Sequence, residues 1–195
     1  MQRVKLSGFF RKLVKMPMAN GMRKLKLSSK IRMAVHPQKL VRFAEKHLGF
    51  YTKYAAVVFK TLKKPLFQSF LNWIIKRENI EENMVKNIQV RVFPFRKENG
   101  KGLAGKCNGK GEILIYPKRL NFFRKMMRKS KKEKVHLYIE SRAMATLIHE
   151  LLHVKYLGDE DKVRELTRKY FNIFLQHQNT QNSNAHSILE MLFAQ

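Results

Sequence analysis

The stretch Ala145–Val163, ATLIHELLHVKYLGDEDKV, constrains this chain more than any other. It contains His149-Glu150-Leu151-Leu152-His153, and no Gly or Pro interrupts Glu140–Tyr156 around it. Side chains four apart stack on one face of an α-helix. A helix here therefore sets the imidazoles of His149 and His153 over one point, where they can share a cation. Glu150 stands about 100° round the axis from His149, beside that point. A carboxylate so placed can take a proton from a metal-activated water and return it to a leaving amine. Met144, Leu147, Ile148 and Leu151 form an apolar face roughly opposite the histidines, so a helix seated on a core would turn the pair outward. The competing reading is an ordinary amphipathic helix with two surface or core histidines.

A catalytic zinc takes three protein ligands and keeps one position open. Gly158 is expected to end the histidine helix, and Asp159 to cap the next. That next helix should run from about Glu160 to Leu175 and bury Val163, Leu166, Tyr170 and Phe174. Around its axis Glu160 lies about 60° from Val163, near the buried face, whereas Asp161 and Glu165 lie about 160° and 200° away, towards solvent. Glu160 is thus the first choice for the third ligand and Asp159 the reserve. His177 and His186 lie beyond this helix and fit less well.

These residues resemble the zincin metallopeptidases, whose active-site helix carries HExxH. A glutamate ligand from the following helix is similar to the gluzincins, in particular small single-domain members. In the metzincin pattern, by contrast, Gly and His would stand where this chain has Tyr156 and Asp159. The resemblance covers roughly Gly111–Leu175. It implies zinc held by His149, His153 and Glu160, Glu150 as general base and then general acid, and a polypeptide substrate. It also implies an edge strand just before the active-site helix, able to pair with an extended peptide. Glu112–Tyr116 is the candidate, with an interior strand as the alternative. Tyr156, His136 and Tyr138 are the candidates for stabilising an oxyanion.

Charge is the second strong feature. The chain has 41 Lys and Arg against 14 Asp and Glu, a formal net charge of +27. Such an excess attracts polyanions: nucleic acid first, an anionic membrane surface next. Met1–Arg32 holds ten Lys and Arg and no acid, and Lys118–Lys134 holds nine with the single acid Glu133. No zinc-finger spacing or RNP1 pattern accompanies them, so the expected contacts are to phosphates and carry little sequence preference. Cys107 is the one cysteine, which excludes an intrachain disulfide and suits a reducing compartment. With no apolar run long enough for a membrane span or a secretory leader, a cytoplasmic location is expected.

The rest of the chain organises around the histidine helix. Residues 1–36 read as a basic arm, with a processed targeting segment or a packed part of the domain as alternatives. Pro37–Asn79 reads as helical, with Gly49 as a stop and Pro65 starting a new helix. Tyr51–Leu62 suits either a strand or a buried helix. Ile88–Phe95 and Glu112–Tyr116 read as strands, and Lys97–Gly111 as a glycine-rich loop without phosphate-binding spacing. Residues 178–195 read as a polar tail with a short helix over Ser187–Ala194.

The sequence thus predicts an α+β domain over 37–177, a small mixed or antiparallel sheet packed on several helices, zincin-like, with the metal between two consecutive helices. The expected function is zinc-dependent peptide hydrolysis near nucleic acid. The alternative is a basic nucleic-acid-binding or ribonucleoprotein-associated protein whose zincin fold is inactive or structural.

Overall fold

The computed structural model of the chain describes residues 45–85, 89–93, 95–108, 112–178 and 190–193. The basic arm 1–36, Met1–Arg32 within it, and His186 lie outside the described residues, as does most of the tail.

The architecture is α+β. Helix α1 is Glu45–Leu62, α2 is Pro65–Arg77 and α3 is the single turn Glu82–Val85. Strands β1 (Gln89–Val92), β2 (Lys97–Glu98), β3 (Lys101–Gly102), β4 (Gly105–Cys107) and β5 (Glu112–Ile115) follow, then α4 (Leu120–Lys129), α5 (Lys132–Tyr156) and α6 (Glu160–His177). None of the described helices is long and apolar enough to cross a membrane.

Helix α5 is the axis of the fold. It packs against α1, α6, α4 and the sheet, and from Ser141 to Ile148 every residue is buried. An element covered on all sides cannot be strongly amphipathic, which is why its polar residues stand out as candidates for function. In α1, Tyr51, Tyr54, Ala55, Val58 and Leu62 recur at helical spacing and are buried, so the ambiguous stretch Tyr51–Leu62 is helix. Gly49 lies inside α1 and does not end it. Pro65 opens α2 as expected, and α2 turns Phe67, Phe70 and Ile74 into the core. Trp73 stacks on Phe70 at 5.4 Å and meets Tyr170 edge-on at 5.7 Å.

The strand order is β1-β5-β4, with β1 and β5 parallel and β4 and β5 antiparallel. Glu112–Ile115 is therefore the central strand, and the expectation of an edge strand there is corrected. Its alternation buries Ile113 and Ile115 on one face, which a strand between two partners does as readily as an edge strand. The edge beside α5 is β4, inside the segment read as a loop. Asn99 (φ 50°) and Gly100 (φ 76°) close the β2–β3 hairpin. Both central residues at positive φ match a type I′ turn, which favours Asn-Gly.

The basic stretch Lys118–Lys134 is not one helix. Ser130 and Lys131 break it, and Lys132–Lys134 begin α5. Within α4, Phe123 and Met126 are buried while Arg124, Lys125, Arg128 and Lys129 are exposed, so one face is core and the other basic. Residues 190–193 are helical, and Met191, Leu192 and Phe193 pack against the core.

Candidate metal centre

Helices α5 and α6 meet across a tight turn, and three side chains converge there. His149 and His153 come from successive turns of α5, and Glu160 is the first residue of α6. The two Nε2 atoms are 3.1 Å apart, His153 Nε2 is 3.2 Å from Glu160 Oε2, and His149 Nε2 is 3.6 Å from Glu160 Oε1. Among the described residues no other His, Cys, Asp or Glu trio gathers in this way.

The opposite ring nitrogens decide the tautomers. His153 Nδ1 lies 2.6 Å from the Leu157 carbonyl oxygen. A carbonyl only accepts, so Nδ1 carries the proton and Nε2 keeps its lone pair. Thr167 Oγ1 spends its single hydrogen on the Val163 carbonyl at 2.7 Å. Towards His149 Nδ1, at 3.4 Å, it can only accept, which again leaves Nε2 bare. Burial holds the His149 imidazole below its ordinary value, keeping it neutral. Two bare nitrogens and a carboxylate facing one point repel one another unless a cation sits between them. Ligands at about 2.0–2.1 Å from a tetrahedral ion stand about 3.4 Å apart, and 3.1, 3.2 and 3.6 Å bracket that spacing. The donor set of two imidazoles and one carboxylate fits zinc.

The turn itself is strained where it serves the site. Leu157 ends α5 at φ 45° and ψ −111°, and Asp159 N–H donates to the Tyr156 carbonyl at 3.0 Å. This is close to a type II′ turn, whose first central position normally belongs to Gly. The left-handed residue is thus Leu157, not Gly158 as the sequence suggested. The conformation aims the Leu157 carbonyl at His153. Asp159 caps α6 by accepting from Lys162 N–H at 3.0 Å, which occupies the reserve candidate. Asp161 and Glu165 are exposed. Glu160 Oε1 also accepts from Arg164 Nε at 2.8 Å.

Glu150 is buried, and burial pushes its carboxyl up to about 7, against a hydrogen bond from the Cys107 backbone that lowers it. Strand β4 thus touches the candidate base directly. Asn108 N–H donates to Glu112 O, and Ala104 O accepts from Tyr116 N–H. The backbone groups of Gly105 and Cys107 therefore turn to the free edge. That edge, with Thr146, His149, Glu150, His153, Glu160 and Thr167, lines an open cleft of about 1310 Å³. This exceeds the usual small-molecule pocket of roughly 300–1,000 Å³ and leaves room for a length of chain.

None of the three oxyanion candidates lines this cleft. Tyr156 Oη donates to Glu78 Oε2 at 2.5 Å, His136 pairs with Glu140 at 3.6 Å on the surface, and Tyr138 is buried against Phe122. His177 is exposed at the far end of α6. The sequence reading passed over Thr167, Gly105 and the Leu157 carbonyl. Thr167 could have been found, since it stands seven residues after Glu160 and shares its helix face. Compared with protein-family models, curated proteins and solved structures, the chain gives no match.

Proposed function

We propose that this chain is a zinc-dependent peptidase of small, zincin-like, gluzincin-like design. The convergence of His149, His153 and Glu160 beside the buried carboxyl of Glu150 carries the reading. When bound, zinc would supply polarisation of the scissile carbonyl and a more acidic water. His149 and His153 present lone pairs fixed by Thr167 and the Leu157 carbonyl, and Glu160 adds the neutralising charge. Glu150, held in place by the Cys107 N–H, takes the proton of the attacking water and passes it to the leaving nitrogen. The free edge of β4 offers the N–H and C=O groups of Gly105 and the C=O of Cys107 to an extended substrate. We place the protein in the cytoplasm, beside nucleic acid held by Met1–Arg32 and Lys118–Lys134. The charge excess also favours a second reading, a nucleic-acid or ribonucleoprotein binder whose metal site is structural.

Glu150→Gln separates the two. The amide accepts no proton, so the variant should keep its metal and lose cleavage of an unfolded polypeptide that the wild type cuts. Full activity in Glu150→Gln would exclude the mechanism, and a wild type that holds metal but cleaves nothing would favour the second reading. Binding of mixed-sequence DNA and RNA should fall steeply with salt, with a log–log slope near −0.9 per phosphate contact on duplex DNA. Binding to anionic vesicles alone would reassign the basic segments to a membrane surface.

A further inference from the structure

The helix face that carries the histidines also carries a buried cation, Arg142, that no described carboxylate answers. Arg142 stands seven residues before His149 on α5, so its side chain leaves the helix on the same face about 10.5 Å away. It is 7% exposed and lines the same cleft. Its Nη2 lies 3.5 Å from the Leu103 carbonyl and 3.4 Å from the Tyr116 carbonyl, both long for hydrogen bonds. Its Nε is buried without a partner. The Tyr54 and Tyr138 hydroxyls face the guanidinium closely enough to serve it as neutral hydrogen-bonding partners, although that of Tyr54 closes no hydrogen bond of good geometry. A second cation, half-buried Lys118, feels burial first and then the Arg142 charge, and its ammonium is held below the ordinary value.

Among the described side chains no carboxylate forms an ion pair with either cation. Removing a guanidinium from water without a counter-ion is costly, and a cation kept that way at the wall of a cleft is poised for an anion from outside. A carboxylate matches its planar fork with two parallel hydrogen bonds.

The interval from the metal centre is set twice. Seven residues of helix separate Arg142 from His149, about 10.5 Å. Along β4 and the two residues before it, Cys107 touches Glu150 and Leu103 touches Arg142, four residues of extended chain or about 13 Å. An extended chain lying in the cleft covers that distance in about three to four residues.

We propose that Arg142, backed by Lys118, is the specificity determinant of the cleft. It takes a carboxylate of a polypeptide, borne by a side chain or the C-terminus, three to four residues from the metal centre. Only the link to a cleaved bond rests on the peptidase reading; the binding of the carboxylate does not.

The test is fluorescence anisotropy of labelled decapeptides on the zinc-loaded full chain in about 0.5 M salt, where exposed charges are screened within a few ångströms. One peptide carries a single internal Glu and its isostere carries Gln, each with a free or an amidated C-terminus. The Glu peptide should bind roughly ten- to a hundredfold more tightly than the Gln peptide. A preference for the free over the amidated terminus, without that difference, would assign the terminal carboxylate as the source. Arg142→Gln should abolish the discrimination, Arg142→Lys should retain part of it, and the exposed-surface control Lys60→Gln should retain all of it. Equal binding of all four peptides overturns the proposal, and this wild-type comparison decides even where Arg142→Gln fails to fold. Discrimination that survives in a folded Arg142→Gln also overturns it. So does a DNA oligonucleotide that binds through Arg142 in preference to every peptide. Discrimination without cleavage of any peptide retains the carboxylate site and removes the peptidase.

Discussion

A β-carbon added to Gly105 would lie 2.5 Å from Oε1 of Glu150 and 2.6 Å from Cγ2 of Thr146. The edge strand reaches the candidate base only because this position has no side chain. Gly105→Ala should therefore push the Glu150 carboxyl aside while the three candidate metal ligands stay in place. Misplacement of a catalytic group by about 1 Å costs on the order of a hundredfold in rate. Metal content by elemental analysis should match wild type, and cleavage of an unfolded polypeptide should fall by about that factor. An equally active Gly105→Ala variant would mean that Glu150 is not the base.

Leu157 stores strain. A non-glycine residue at φ 45° costs about 1–3 kcal/mol, and Leu157 recovers little by burial, being 75% exposed. Gly relieves the steric part and adds some unfolded-chain entropy. Leu157→Gly should raise stability by about 1 kcal/mol, read as a higher denaturation midpoint, with zinc affinity unchanged because the carbonyl facing His153 remains. A lower midpoint would show that the Leu157 side chain makes contacts that outweigh its backbone cost.

The convergence of the candidate ligands was more legible in the sequence than the scaffold was, for reasons of range. His149, Glu150, His153 and Glu160 lie within a dozen residues, and helical phase alone turns Glu160 towards the histidines. Strand order is different in kind. Whether Glu112–Ile115 sits at the edge or the centre depends on pairing with Gln89–Val92, more than twenty residues away, and alternation does not encode it. Gly105–Cys107 has almost no strand propensity of its own and is a strand because it lies between β5 and α5. The Asn99-Gly100 turn was legible and was merged into a loop because glycines surround it. Only the first three residues of α5, Lys132, Glu133 and Lys134, fall in the basic segment Lys118–Lys134, and their charge hides the helix start. Gly49 did not end α1, since nothing there required a turn.

Glu78 joins the end of α2 to α5 and α6. It accepts from Tyr156 and Tyr170, and its carbonyl accepts from Lys155 Nζ. Burial alone would raise its carboxyl, but the two hydroxyls and the Lys155 and Arg77 charges outweigh it and hold the group below the ordinary value. The folded state therefore gains stability wherever the carboxylate is ionised. That gain is whole above the unfolded value of about 4.3 and fades as pH falls towards the lower folded value. Glu78→Gln should cost about 1–3 kcal/mol at pH 7. The gap between wild-type and variant melting temperatures should hold from pH 6 to about 8 and narrow below about pH 4. A gap that widens in acid would reverse the sign.

Asp159 and Glu160 are neighbours with different work. Asp159→Ala removes a helix cap and should cost about 1 kcal/mol without loosening zinc. Glu160→Ala should weaken zinc far more than Asp161→Ala or Glu165→Ala, whose side chains face solvent. Competition with a chromophoric chelator ranks the four. Zinc lost in Asp159→Ala alone would transfer the ligand role to Asp159.

The most direct measurement is metal content. The full chain, purified without added chelator and analysed by elemental mass spectrometry, should hold one zinc per chain, and His153→Ala and Glu160→Ala should each lose most of it under the same conditions. Equal zinc in wild type and His153→Ala, or none in the wild type after incubation with zinc and desalting, would contradict a metal centre at His149, His153 and Glu160.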